Sequence, residues 1–164
     1  MSEYYIYTED DKFSKWISYA IINEIPQDII INLIQNSLDT SNKIDLNGLL
    51  IDASSKKLEK VIKFLVTAGA DIESISRIGC TPLMLVAALG HLELVKYFIE
   101  LGANINKIND FNRTAMNYAF ANEHSLVINF FENLWIDSQK KIDSECVPRA
   151  HLTTFDNINI VYNL

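Results

Sequence analysis

The chain has 164 residues, a formal net charge of −7, 49% hydrophobic and 21% charged residues, and only 5 Gly, 3 Pro and 2 Cys. A domain of this length buries roughly 68–70% of its unfolded surface, and a high apolar content without low-complexity runs argues against intrinsic disorder. Cys80 and Cys146 are too few and too far apart for a disulfide scaffold, and 14 basic against 21 acidic residues disfavour a cationic nucleic-acid binder.

The start, Met1 to Tyr7 and then Glu9, Asp10 and Asp11, lacks the basic opening and apolar stretch of a secretory signal. No apolar run approaches the ~20 residues of a membrane span. The expectation is a protein kept in a reducing cytoplasm, with no membrane contact; export by a route that reads other signals is the alternative. Asn112-Arg113-Thr114 matches the glycosylation sequon and is read as a chance match.

Residues 10–42 predict two helices. Phe13, Trp16, Ile17 and Ala20 share one helical face, and Pro26 starts a second helix over Ile29 to Leu38. Residues 1–42 hold seven acids and two bases, giving −5 of the total charge. This unit is out of register with residues 43–75, so it reads as a degenerate N-terminal cap with a polar outer face.

From residue 43 the chain repeats itself at an offset of 33. Thr81 falls on Thr114, Leu83 on Met116, Ala88 on Ala121, His91 on His124, Phe98 on Phe131 and Leu101 on Leu134. One copy earlier, Leu50 meets Leu83, Val61 meets Leu94, and Gly69-Ala70-Asp71-Ile72 meets Gly102-Ala103-Asn104-Ile105. The units are 43–75, 76–108 and 109–141. Each predicts helix, turn, helix and then a projecting turn. Thr81 caps and Pro82 opens the first helix, whose face is Leu83, Val86 and Ala87. Gly90 ends it. Leu92, Val95 and Ile99, flanked by Leu94 and Phe98, make the second helix apolar over a wide arc. One unit cannot bury its own face, so neighbours must stack, and about three or more are needed.

The period and its residues resemble the ankyrin repeat. Residues 76–108 carry the pattern most fully, in Gly79-Cys80-Thr81-Pro82-Leu83, Gly90-His91-Leu92-Glu93-Leu94-Val95 and Gly102-Ala103-Asn104-Ile105-Asn106. In 109–141 Thr114-Ala115-Met116 replaces the Thr-Pro-Leu block, and in 43–75 Gly48-Leu49-Leu50 stands in its place. The resemblance implies an all-α helix-turn-helix solenoid. The tail, 142–164, departs from it: Val147-Pro148-Arg149 breaks any helix, and Ile158, Ile160, Tyr162 and Leu164 alternate with Asn157, Asn159, Val161 and Asn163. That period of two predicts a short strand or extended tail on the last repeat, or an edge that pairs with a partner or a second copy.

Catalysis gains little from the residues. His91 and His124 lie one period apart and read as turn residues. No His-Cys spacing fits a metal, no glycine loop cradles phosphate, and no nucleophile elbow is present. Glu9, Asp10 and Asp11 read as solvated carboxylates. Cys80 precedes a helix start at a variable turn position, which alone does not make it a reactive thiol. The expectation is a non-enzyme with no cofactor and no metal.

The resemblance implies a concave binding surface built from projecting turns and inner helices. It points to Arg77, Ile78 and Cys80 on one turn and to Ala88 and Leu89 at the end of the inner helix. In the next repeat it points to Asp110, Phe111, Arg113 and Asn122. The bland alternative packs Ile78 and Phe111 against each other. The function expected is binding of another protein by a monomer, as adaptor or inhibitor, for example a bacterial immunity protein that neutralises a basic toxin. The competing role is an exported effector that engages a host protein.

Overall fold

The computed structural model describes residues 12–39 and 44–144. The alternating stretch of 157–164, Cys146, His151 and the acidic run Glu9–Asp11 lie outside the described residues. The described residues form helices α1 (Lys12–Ile22), α2 (Gln27–Asp39), α3 (Leu46–Ser55), α4 (Glu59–Thr67), α5 (Pro82–Ala88), α6 (Leu92–Glu100), α7 (Ala115–Ala121) and α8 (Ser125–Ser144), with no strand among them. Helices α1, α3, α5 and α7 pack in sequence as an inner layer; α2 packs on α4 and α6 on α8 behind them.

The local chemistry explains the helix starts. Thr81 Oγ1 accepts from Met84 N at 3.3 Å, and Pro82 takes the first turn, where an N–H would have no partner. Thr114 and Asn117 form a reciprocal capping box at α7. In the first repeat the threonine is missing, and Asp45 caps instead, accepting from Gly48 N at 2.9 Å. Helix α3 therefore starts a turn earlier than its counterparts.

The short turn inside each helix pair reaches the left-handed region at Glu24, Lys57, Gly90 and Glu123, with φ of 55°, 56°, 68° and 58°. These positions are 33 residues apart throughout, so the turn of the first pair is in register with the rest. The slip arises just after it. Helix α2 begins three residues past Glu24, whereas α4 begins two past Lys57.

Leu83, Val86 and Ala87 are buried as the pattern predicts. In α6 the deepest residues are Leu94, Val95 and Phe98, while Leu92 and Ile99 are half-buried, so the core stripe runs through the flanking positions. The counterparts Val61, Ile62, Leu65, Val127 and Phe131 are also buried.

The first helix corrects the sequence reading. Its packed face is Ser14, Ile17, Ala20 and Ile21, with Ser14 Oγ accepting from Asp45 N at 2.9 Å. Phe13 and Trp16 are not on that face; Trp16 is 74% exposed. Nor is the outward surface of this pair polar: Phe13, Trp16, Tyr19, Ile22, Ile29 and Leu33 all open to solvent.

Candidate partner-binding surface

Two projecting turns link α4 to α5 and α6 to α7. Each is closed at its base by a backbone bond, Ser76 N to Cys80 O (2.9 Å) and Asn109 N to Arg113 O (3.1 Å), again one period apart. Each uses a left-handed residue at the same place, Gly79 (φ 72°) and Asn112 (φ 57°). The turns also bond to each other. Asp110 N donates to Ile78 O at 3.3 Å, and Asn104 N donates to Glu73 Oε1 at 2.8 Å. Lys107 Nζ bonds the Glu73 carbonyl at 2.9 Å and its carboxylate at 3.0 Å. A Cβ on Gly79 would stand 2.8 Å from Asp110 Oδ1 and 3.1 Å from Asp110 N, so this close approach needs glycine.

Beneath the turns, Asn109 is buried and holds both ends of its own loop. Its Oδ1 accepts from Phe111 N (3.1 Å) and Arg113 N (3.0 Å), and its Nδ2 donates to Tyr118 Oη (2.7 Å) and Cys80 Sγ (3.2 Å). Burial, then the neighbouring Cys80, push the Tyr118 hydroxyl above its ordinary value, so it stays neutral at physiological pH. Among the described residues no group of His, Cys, Asp and Glu could hold a metal ion, and no helix is long and apolar enough to cross a membrane.

Residues 49–139 match the family model described as ankyrin repeats (3 copies), more than half of the chain. The chain belongs to the ankyrin-repeat family. No curated protein matches it. The matched stretch excludes α1 and α2, which stack on the ankyrin repeats as a further helix pair.

On this ankyrin scaffold Arg77, Ile78, Asp110, Phe111 and Arg113 are exposed and share the two bonded turns. Phe111 leaves 62% of its surface in water, so it is not buried against Ile78. Asn122 is exposed at the end of α7, where its Nδ2 donates to Tyr118 O at 2.9 Å; Ala88 and Leu89 are half-buried. Cys80 is a correction: it is 2% exposed, below the surface, because Asn109 and Tyr118 close over its sulfur. Sequence reasoning missed Ile75, Ile108 and Phe120, all large, apolar and exposed. Ile75 and Ile108 were legible in principle, since each precedes an assigned apolar tip by three residues at the same repeat position.

The two histidines do different things at one repeat position. His91 Nδ1 accepts from Leu94 N at 3.3 Å and caps its own helix. His124 Nε2 donates instead to Ala88 O at 2.9 Å, across to the preceding ankyrin repeat. His124 lies over Gly90, which offers no side chain to displace the ring.

Proposed function

We propose that this ankyrin-repeat protein binds a protein partner through its projecting turns and the adjoining ends of its inner helices, and performs no chemistry of its own. Ankyrin repeats generally serve as protein–protein interaction modules. The observation that carries the reading is the row Ile75, Ile78, Ile108 and Phe111, held in water on two turns bonded to each other. Exposed apolar side chains on a pre-ordered support favour an interface, because little ordering entropy remains to be lost on binding. Arg77 and Arg113 flank the row and add a residue type common at binding hot spots. Asp110, Leu89 and Asn122 complete the surface.

The finer role proposed is that of an adaptor or inhibitor, including a bacterial immunity protein. The acidic first 42 residues, seven acids against two bases, support a basic partner. The test is affinity capture from the native cell with the unmodified chain and with Phe111→Ala. The retained protein should lose at least ~2 kcal/mol of affinity, about 30-fold, to the variant, with its helicity and melting temperature unchanged. A loss below about 0.5 kcal/mol would remove Phe111 from the surface. Capture of a host protein after translocation would transfer the role to an exported effector.

A further inference from the structure

An ankyrin stack has two ends, and each terminal unit normally turns a polar side outward. Here the α1–α2 end does the opposite. Phe13, Trp16, Tyr19, Ile25, Leu33 and Asn36 border an open groove of about 420 Å³, nearly all of whose wall is carbon. A contiguous apolar surface of this kind calls for an occupant.

We propose that the occupant is the chain's own Tyr4-Tyr5-Ile6-Tyr7, folded back along α1 so that it serves as the missing neighbour of the first helix pair. Three observations carry this. The groove starts at the first turn of α1, so the segment preceding Lys12 enters beside it. The reach is sufficient: with Thr8 to Asp11 making the reversal, Tyr4 to Tyr7 extended span up to ~13–14 Å, most of the ~16 Å rise of the eleven residues of α1. The composition also fits. Four consecutive aromatic or branched residues lead into Thr8, Glu9, Asp10 and Asp11, types suited to a reversing turn and a helix start. Docked, the segment covers the apolar wall, and its acids face water. A second copy is a poorer occupant, because it would bring two ends together that each carry seven acids and two bases in residues 1–42.

The test uses the full chain with Trp135→Phe, which leaves Trp16 as the single tryptophan. Trp16 should emit at short wavelength and resist acrylamide. Replacing Tyr4, Tyr5, Ile6 and Tyr7 together by serine should raise its quenching at least twofold. A benzoyl-phenylalanine photo-crosslinker at position 5 provides a readout that does not depend on that variant, and should give an intramolecular product on α1 or α2. Unchanged quenching, a product elsewhere in the chain, or a product between two chains with a dimer mass in light scattering would each overturn the proposal.

Discussion

Replacing Gly90 with alanine asks two questions of one residue, and the repeat provides the means to separate them. The first is conformational. Gly90 has φ 68°, but Lys57 and Glu123 occupy the same turn position at 56° and 58°, so a side chain is tolerated there at a cost of ~1 kcal/mol. The second is steric. A Cβ on Gly90 would lie 2.5 Å from His124 Nδ1 and 2.7 Å from its Cγ, so the ring must move. Moving it breaks the 2.9 Å bond to Ala88 O, worth ~1 kcal/mol. The expected total is ~2 kcal/mol, which lowers the melting temperature of a chain this size by about 4–8 °C. Urea unfolding of Gly90→Ala alone and in a His124→Ala background divides the cost, because the steric half should vanish once the ring is gone. Equal losses in both backgrounds would refute the contact between Gly90 and His124 as the reason for glycine here.

Three further outcomes are expected. Glu123→Gly relieves a left-handed residue on the exposed turn before α8 and should stabilise the fold by ~0.5–1 kcal/mol in urea melts; a loss would show that the left-handed turn carries no strain. Asn109→Ala removes four bonds beneath the projecting turns and should cost at least ~2 kcal/mol, with faster amide exchange at Phe111 and Arg113; unchanged exchange would mean that the loop is held elsewhere. Burial, partly offset by a Ser18 hydrogen bond, raises the Asp52 carboxyl above 3.8, with Asp45 adding a like charge. A raised folded value means that ionised Asp52 opposes folding at neutral pH and that this penalty disappears below the unfolded value. Asp52→Asn should therefore raise the melting temperature at pH 7 and leave it unchanged near pH 3, and a decrease at pH 7 would contradict that sign.

Much of the fold was legible in the sequence because ankyrin units obey a fixed interval. Thr81-Pro82 and the buried trio Leu83, Val86 and Ala87 derive from the 33-residue period and local helix chemistry, while the placement of Ile78 and Phe111 on the surface follows from the resemblance to the ankyrin repeat. What was not legible depends on partners distant along the chain. Cys80 is buried by Tyr118, 38 residues away, which no turn rule can foresee. Helix α1 carries apolar residues on more than one side, and helical spacing does not say which side meets a neighbour. Ser14 decides it, because its hydroxyl is needed by Asp45 N. A polar residue thus marks the packed face, and two aromatics mark the open one. The ring contact of His124 was hidden for a similar reason: the ring lies over Gly90, 34 positions earlier.

The bond from Asp110 N to Ile78 O is made by main chain alone, as are the two bonds that close the bases of the turns. The apolar tips therefore do not hold the scaffold together, whereas Gly79 and Asn109 do. Over evolutionary time the two sets of positions should drift at different speeds. Ile75, Ile78, Ile108 and Phe111 can be rewritten to track a changing partner with little loss of stability, while the glycine and the asparagine stay fixed. The molecule in effect separates its vocabulary from its grammar.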